Sequence, residues 1–187
     1  YTLFFTNIIH GFGFSMFNVV YQPYLFQITQ SEVILGFLQT FGMFMQLIPM
    51  QLSGKFADKY GRKPVILIGL SSIMIGLIFM AFSQENVFRI IGIVLVFGGY
   101  GIRDPPKQVF TRENSEEKKH GLMFSLMFFG LFAGSIGGDV IVTLLGSAYT
   151  APLYFKIFAG IIIFQFIVQF FFLKEEKPSQ SKDKETI

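Results

Sequence analysis

The residues most able to do chemistry lie in a short charged segment, residues 54–64, between two long apolar stretches. The segment contains four cations and a single acid, Asp58. Charge pairs and helix dipoles at helix ends can latch one state of a moving helix bundle. Lys and Arg alone mark a loop as cytoplasmic, so the topology does not explain why an acid is present. The pattern therefore favours a latch function for Asp58 and Arg62. For the lysines, including Lys63, we prefer the simpler interpretation that they set the topology.

Polar side chains are rare within the apolar stretches, and those present are candidates for lining a cavity. Asn7, Asn18 and Gln22 fall within a stripe about 80° wide on one predicted helix. In lipid such a stripe must face protein or water. The stripe indicates either helix–helix packing or the lining of a substrate cavity. Gln39 and Arg89, on two other predicted helices, are further cavity candidates.

Asp139 is the only carboxylate well inside a predicted helix. Ionisable residues within the membrane commonly belong to proton relays in transporters, so Asp139 is a candidate for proton coupling. The alternative is that Asp139 lies near the outer surface, where it is wetted or paired with Lys156 or Arg89.

Three further polar residues lie on the first and last predicted helices. His10 is close to the expected cytoplasmic start of the first helix, and we interpret it as interfacial. Gln165 and Gln169 are four residues apart on the last helix, which puts them on one face. We expect both to bond to neighbouring helices.

The composition is that of an integral membrane protein. The 187 residues are 52% hydrophobic and 14% charged, whereas a soluble domain carries about 25% charged residues. The absence of cysteine excludes disulfides and thiolate metal sites. The cations flank apolar runs, which indicates membrane topology and a lipid bilayer as partner, not nucleic acid. Because the chain begins at Tyr1, we expect a fragment of a longer protein.

The hydropathy pattern predicts an all-α bundle of six transmembrane helices over residues 1–173. The predicted spans are about 3–21, 33–53, 64–82, 87–102, 121–145 and 153–173, with a charged loop over 103–120. Residues 174–187 are expected to be a disordered cytoplasmic tail or the start of a central linker. Thirteen of the 15 Lys and Arg fall on the side of the charged segment. The positive-inside rule therefore predicts a multi-pass protein of the cell membrane with both termini cytoplasmic.

The charged segment reads Gly-x-x-Ala-Asp-Lys-x-Gly-Arg-Lys and closely resembles the hallmark loop between the second and third helices of the major facilitator superfamily (MFS). Gly54, Asp58, Gly61, Arg62 and Lys63 match that pattern by position. The basic 2–3 loop, the long 4–5 loop and the short outer loops also match one half of this twelve-helix family.

A second likeness lies in the fifth predicted helix. Gly130, Gly134 and Gly138 follow one another at four-residue steps, a spacing that lets two helices pack backbone to backbone. The run resembles the glycine motif of the antiporter branch of the family. It departs from that motif at Ser135, where the motif has Pro, and at Asp139, where it ends in a small residue or Pro.

The resemblance implies a six-helix half built of two inverted three-helix repeats, which joins a second six-helix half around a central cavity. That second half belongs to the same chain in a full-length protein or to a partner chain. The strong loop motif favours the N-terminal half, and the C-terminal half stays open as the alternative. The resemblance further implies that Asp58 contacts the second half in the outward-open state. Arg62 would pair with an acid at the inner end of the fourth helix, and Asp104 is the candidate by position.

The function predicted in this way is secondary active transport of a small solute by alternating access. The glycine run suggests antiport, and the Phe-rich helices suggest an amphipathic or drug-like cargo, although contact with lipid explains these rings as well. Proton coupling is favoured because the sequence has no nucleotide-binding loop of the Gly-x-x-x-x-Gly-Lys-Ser type. The alternative is a transporter-like receptor or assembly protein that no longer transports. The helices carry no metal-binding His-Glu pair, no Ser-His-Asp set and no nucleotide-binding loop, so we expect no enzyme activity, no metal and no cofactor.

Overall fold

Six long helices make up the part of the chain that the computed structural model describes, residues 2–146 and 150–173. They are α1 (Thr2–Thr29), α2 (Glu32–Tyr60), α3 (Arg62–Phe82), α4 (Asn86–Glu113), α5 (His120–Leu145) and α6 (Ala151–Phe172). Each is long and apolar enough to cross a membrane. The predicted all-α bundle of six membrane-spanning helices is confirmed. The predicted disordered tail, residues 174–187, lies outside the described residues.

Two helices extend well beyond their predicted ends. α1 was expected to end near residue 21 but continues through Pro23 to Thr29. α4 was expected to end near residue 102 but continues through Pro105 and Pro106 to Glu113. Membrane helices tolerate proline because neighbouring helices and local backbone adjustments satisfy the freed carbonyls. The predicted loop over residues 103–120 is therefore wrong for most of its length.

The charged segment is also more helical than its glycines and charges suggested. α2 includes residues 54–60 and α3 begins at Arg62, so Gly61 alone separates the two helices. Gly61 has a φ of 101°, a conformation that glycine adopts without the strain of a Cβ atom. Its amide donates to the carbonyl of Ala57 at 3.0 Å. The connection is thus one sharp turn between two long helices.

Glycines allow α1 and α5 to pack in backbone contact. A Cβ atom at Gly134 would overlap the carbonyl oxygen of Ile8, and one at Gly138 would overlap that of Phe12. Gly130 lies against Phe4 on the same face of α1. The structure thus places the three regularly spaced glycines of α5 at its contact with α1.

The helix contacts repeat in a regular way. α1 packs against α5 and α6, while α4 packs against α2 and α3, and α3 also contacts α6. If α1, α2 and α3 are exchanged in order with α4, α5 and α6, the contact of α1 with α5 becomes the contact of α4 with α2. This exchange agrees with two inverted three-helix repeats. The main buried core lies among α1, α3, α4 and α6. On their other side, α1 and α4 line a cavity together with α2 and α5.

Candidate functional site

A cavity of about 210 Å³ lies between α1, α2, α4 and α5. Its polar lining includes Asn7 and Asn18 of α1, Gln46 of α2 and Lys107 of α4. Aromatic rings supply much of the remaining lining, namely Phe14, Phe17, Phe97, Tyr100, Phe124 and Phe128. A mostly apolar cavity with a few placed polar groups is the usual form of a small-molecule site.

Arg103 forms the centre of a buried polar network beside the cavity. Its side chain is 3% exposed, and its Nη2 lies 2.7 Å from Oδ1 of Asp104. Its Nε donates to the same oxygen at 2.9 Å. The guanidinium also stacks over the ring of Tyr100, with Cζ at 5.1 Å from the centroid. A buried cation needs this combination of counter-charge and hydrogen bonds because it has lost its water.

His10 links Arg103 to α6. Nη1 of Arg103 lies 3.1 Å from Nε2 of His10, and Oε1 of Gln165 lies 2.9 Å from Nδ1. Nη1 also lies 3.2 Å from Nδ1 of His10. A guanidinium only donates, so a ring nitrogen of His10 accepts from Arg103 and the imidazole is neutral. The interpretation of His10 as interfacial is wrong, since the side chain is buried. The missed signal was its position three residues after Asn7, on the same helix face.

Gln165 and Gln169 both contact α1 from α6. In addition to the bond between Gln165 and His10, Nε2 of Gln169 donates to Oγ1 of Thr6 at 3.3 Å. Both glutamines are fully buried. The expectation that they bond to a neighbouring helix is confirmed.

Lys107 is the second buried cation of the network, with a residual exposure of 7%. Its Nζ donates to Oδ1 of Asn7 at 3.2 Å, and the Asn7 amide donates to the carbonyl of Met127 on α5 at 3.2 Å. Lys107 and Arg103 were both counted as loop cations from the sequence. The continuation of α4 places them inside the bundle, because Tyr100, Arg103 and Lys107 share one helix face.

A separate charge cluster lies where α2 and α4 end and α3 begins. Arg62 contacts Asp58 at 2.5 Å and Glu113 at 2.9 Å. The prediction that Asp104 pairs with Arg62 is wrong. α4 runs nine residues beyond Asp104, so that Glu113 lies level with Arg62 while Asp104 pairs with the neighbouring Arg103.

The other members of the charged segment differ in their surroundings. Lys63 lies over the ring of Phe170, with Nζ at 5.5 Å from the centroid. A Cβ atom at Gly54 would meet open space, whereas Gly61 forms the turn described above.

Of the five cavity candidates, Asn7 and Asn18 line the cavity, whereas Gln22, Gln39 and Arg89 do not. Gln22 is exposed one turn beyond Asn18, and Gln39 is half-buried on α2. Nε of Arg89 donates to the carbonyl of Ser83 at 3.0 Å, near the start of α4. The residue from α2 that does reach the cavity is Gln46, seven residues after Gln39.

Asp139, the proton-coupling candidate, lies outside this cavity on an exposed part of α5. Its carboxylate accepts a hydrogen bond from the hydroxyl of Ser15 on α1. Asp139 therefore adds a polar contact to the glycine-lined interface between the two helices.

The sequence is similar to that of a known family and to those of several known proteins. A sequence model of the Major Facilitator Superfamily matches residues 3–187. The multidrug resistance protein MdtH of Photorhabdus laumondii is 26% identical over 142 residues, which cover 75% of this chain and 35% of that protein. MdtG of Proteus mirabilis, also described as a multidrug resistance protein, is 27% identical over 131 residues, covering 70% of this chain and 32% of that protein. The matches thus span about a third of the length of these relatives.

Solved structures share the fold. The peptide transporter POT in complex with sulfate aligns with a TM-score of 0.75 and 20% identity, over 90% of this chain and 36% of that one. A mutant of POT in complex with alafosfalin aligns with a TM-score of 0.76, over 90% of this chain and 37% of that one.

Proposed function

The chain belongs to the major facilitator superfamily, and on this basis we propose that it forms six helices of a secondary active transporter working by alternating access. The observation that carries the proposal is the cavity lined by α1, α2, α4 and α5. A charge cluster of Asp58, Arg62 and Glu113 lies where two of these helices, α2 and α4, end and α3 begins. A binding cavity beside a cluster that can latch one state is what a rocking bundle requires.

The six helices are the N-terminal half of the transporter, and a second six-helix half completes the cavity. The glycine run of α5 supports antiport, and the multidrug resistance proteins among the relatives support amphipathic or drug-like compounds as the cargo. Protons are the coupling ion in this proposal. Asp139 is the residue assigned to proton coupling, and its contact with Ser15 links its protonation to the α1–α5 interface. The protein spans the cell membrane with both termini cytoplasmic.

A transporter-like receptor or assembly protein is the second candidate. The Arg62 cluster weighs against it, because a bundle that does not move has no use for a latch between helix ends. An enzyme is the least favoured class, since family membership points to transport.

The test is a proton flux assay on the complete protein in liposomes. Internal pH is followed with a dye while drug-like cations, sugars and organic acids are added outside. We expect at least one class to trigger proton movement, which is lost in Asp58→Asn. Lys118→Gln, which removes an exposed cation of the 4–5 connection, should retain the flux. Correctly folded protein that gives no flux with any class would contradict transport and favour the receptor.

A further inference from the structure

We propose, on the basis of the transport function proposed above, that the cavity selects amphipathic organic anions and that Lys107 binds their anionic group. The solute places its carboxylate or comparable anion at the Lys107 ammonium and its apolar body among the aromatic rings. Three features of the described residues support this assignment: the charge balance of the cavity, the free donors of Lys107 and the unpaired hydroxyl of Tyr100.

The charged groups of the cavity do not balance. Within the described residues, Arg103, Lys107 and Asp104 are its charged lining, and His10 is neutral as its hydrogen bonds show. α2 contributes Gln46, while α5 contributes only apolar side chains. Asp104 is already bound by the guanidinium of Arg103. One buried positive charge therefore lacks a counter-charge, and burying an unpaired charge is costly.

That charge belongs to Lys107. Its ammonium has three hydrogens to donate, and the described residues accept only one of them, at Oδ1 of Asn7. No carboxylate of the described residues lies within ion-pair distance of it. The ammonium is thus held in position by Asn7 and has two donors left for a ligand.

Tyr100 offers a second polar contact two helical turns before Lys107 on the same face of α4. Its side chain lines the cavity, and its buried hydroxyl has no hydrogen-bond partner among the described residues. Buried hydroxyls are normally bonded, so this one suits an acceptor atom of a bound solute. An anion at Lys107 with a further acceptor along its length would satisfy both groups.

The remainder of the lining is suited to an apolar body. The rings of Phe14, Phe97, Phe124 and Phe128 face the same cavity, and aromatic rings bury large apolar areas. A small fully hydrated anion would gain nothing from these rings, whereas an aryl carboxylate would use both the rings and the ammonium.

Two carboxylates can neutralise Lys107: that of a bound solute, or one supplied by the second half of the transporter. Equilibrium binding distinguishes the two sources. Three probes of nearly equal shape, 2-naphthoate, 2-naphthamide and 2-naphthylmethylammonium, are titrated by calorimetry into the complete protein in lipid nanodiscs. If Lys107 is free for the solute, 2-naphthoate should bind about ten- to a hundredfold more tightly than the amide.

Substitutions test the assignment to Lys107. We expect Lys107→Gln to abolish the preference for 2-naphthoate and Lys107→Arg to retain it. Lys118→Gln is the matched control, an exposed lysine that should leave all three affinities unchanged. The probe series on the unsubstituted protein stands as a test even if a variant fails to fold.

Equal binding of acid and amide, or tighter binding of the ammonium probe, would overturn the inference. Retention of the carboxylate preference in Lys107→Gln would overturn it as well. Binding in nanodiscs does not need alternating access, so these failures are distinct from failure of transport. Charge-selective binding without proton flux would refute the proposed transport and leave the anion site in place.

Discussion

Arg62 and Arg103 each contact an acid, but their surroundings differ. Arg103 is 3% exposed and its partner Asp104 is 33% exposed, whereas Arg62 is 14% exposed. The Glu113 side chain is 46% exposed where it meets Arg62, and Asp58 is 70% exposed. Removing Asp104 leaves the almost fully buried Arg103 without a carboxylate, whereas removing Glu113 leaves a more exposed Arg62 that is still paired with Asp58.

This contrast predicts different costs for two otherwise equivalent substitutions. Asp104→Asn should lower the free energy of unfolding by about 3–5 kcal/mol because Arg103 loses its counter-charge in the interior. Glu113→Gln should cost about 0.2–1 kcal/mol, the range for solvent-screened pairs. Thermal unfolding of the two variants in the same detergent measures the difference. Equal loss of stability, or a greater loss in Glu113→Gln, would contradict the arrangement of the two pairs.

The sequence predicted the composition of the Arg62 cluster only in part. Spacing within residues 54–64 was enough to single out Asp58 and Arg62, because both lie in one short segment. The partner from α4 could not be found in this way. The identity of the acid that α4 contributes depends on how far α4 continues. The residues after 102 contain two prolines and several charges, which in isolation are typical of a loop. The same error hid Arg103 and Lys107, whose burial depends on contacts with α1.

α5 and α1 pack too closely to tolerate added volume. Added volume at Gly134 would overlap the backbone of α1 at Ile8, and backbone cannot move aside as a side chain does. At Gly160 of α6 a Cβ atom would meet open space. The two glycines therefore serve as a matched pair for testing whether the close approach of α1 and α5 stabilises the bundle.

We predict that Gly134→Ala lowers the free energy of unfolding by about 1–3 kcal/mol, the usual cost of overpacking a tight contact. Gly160→Ala should be neutral or stabilising by up to about 1 kcal/mol, because alanine favours helix. Chemical or thermal unfolding of both variants provides the measurement. Unchanged stability in Gly134→Ala would show that α1 and α5 do not pack as described.

The number of helices and the packing face of α5 could be predicted because both depend on local patterns, apolar length and four-residue glycine steps. The ends of α1 and α4 could not be predicted. Proline is an unreliable boundary in a membrane helix, where neighbouring helices compensate for the lost hydrogen bond. The neutral state of His10 was also out of reach, since its two partners come from α4 and α6.

The bundle as a whole presents a cavity on the side made of α1, α2, α4 and α5, which matches the place of the central cavity in a two-half transporter. The charge cluster of Arg62 lies at one end of that arrangement. If the two halves rock about the cavity, a solute site alternates between the two sides of the membrane, and the cluster biases the balance between the two states. Asp58 is exposed and is thus available to a second half.

The most direct test of alternating access is the reactivity of a single thiol in the cavity. The chain has no cysteine, and Asn18 lines the cavity. Asn18→Cys, in a background free of other cysteines, is treated with a membrane-impermeant thiol reagent from each side of sealed vesicles. We predict labelling from both sides. Adding Asp58→Asn should lower labelling from the outside and raise it from the inside severalfold, because in the proposed mechanism Asp58 contacts the second half only in the outward-open state. Labelling from one side only, unchanged by Asp58→Asn, would contradict alternating access.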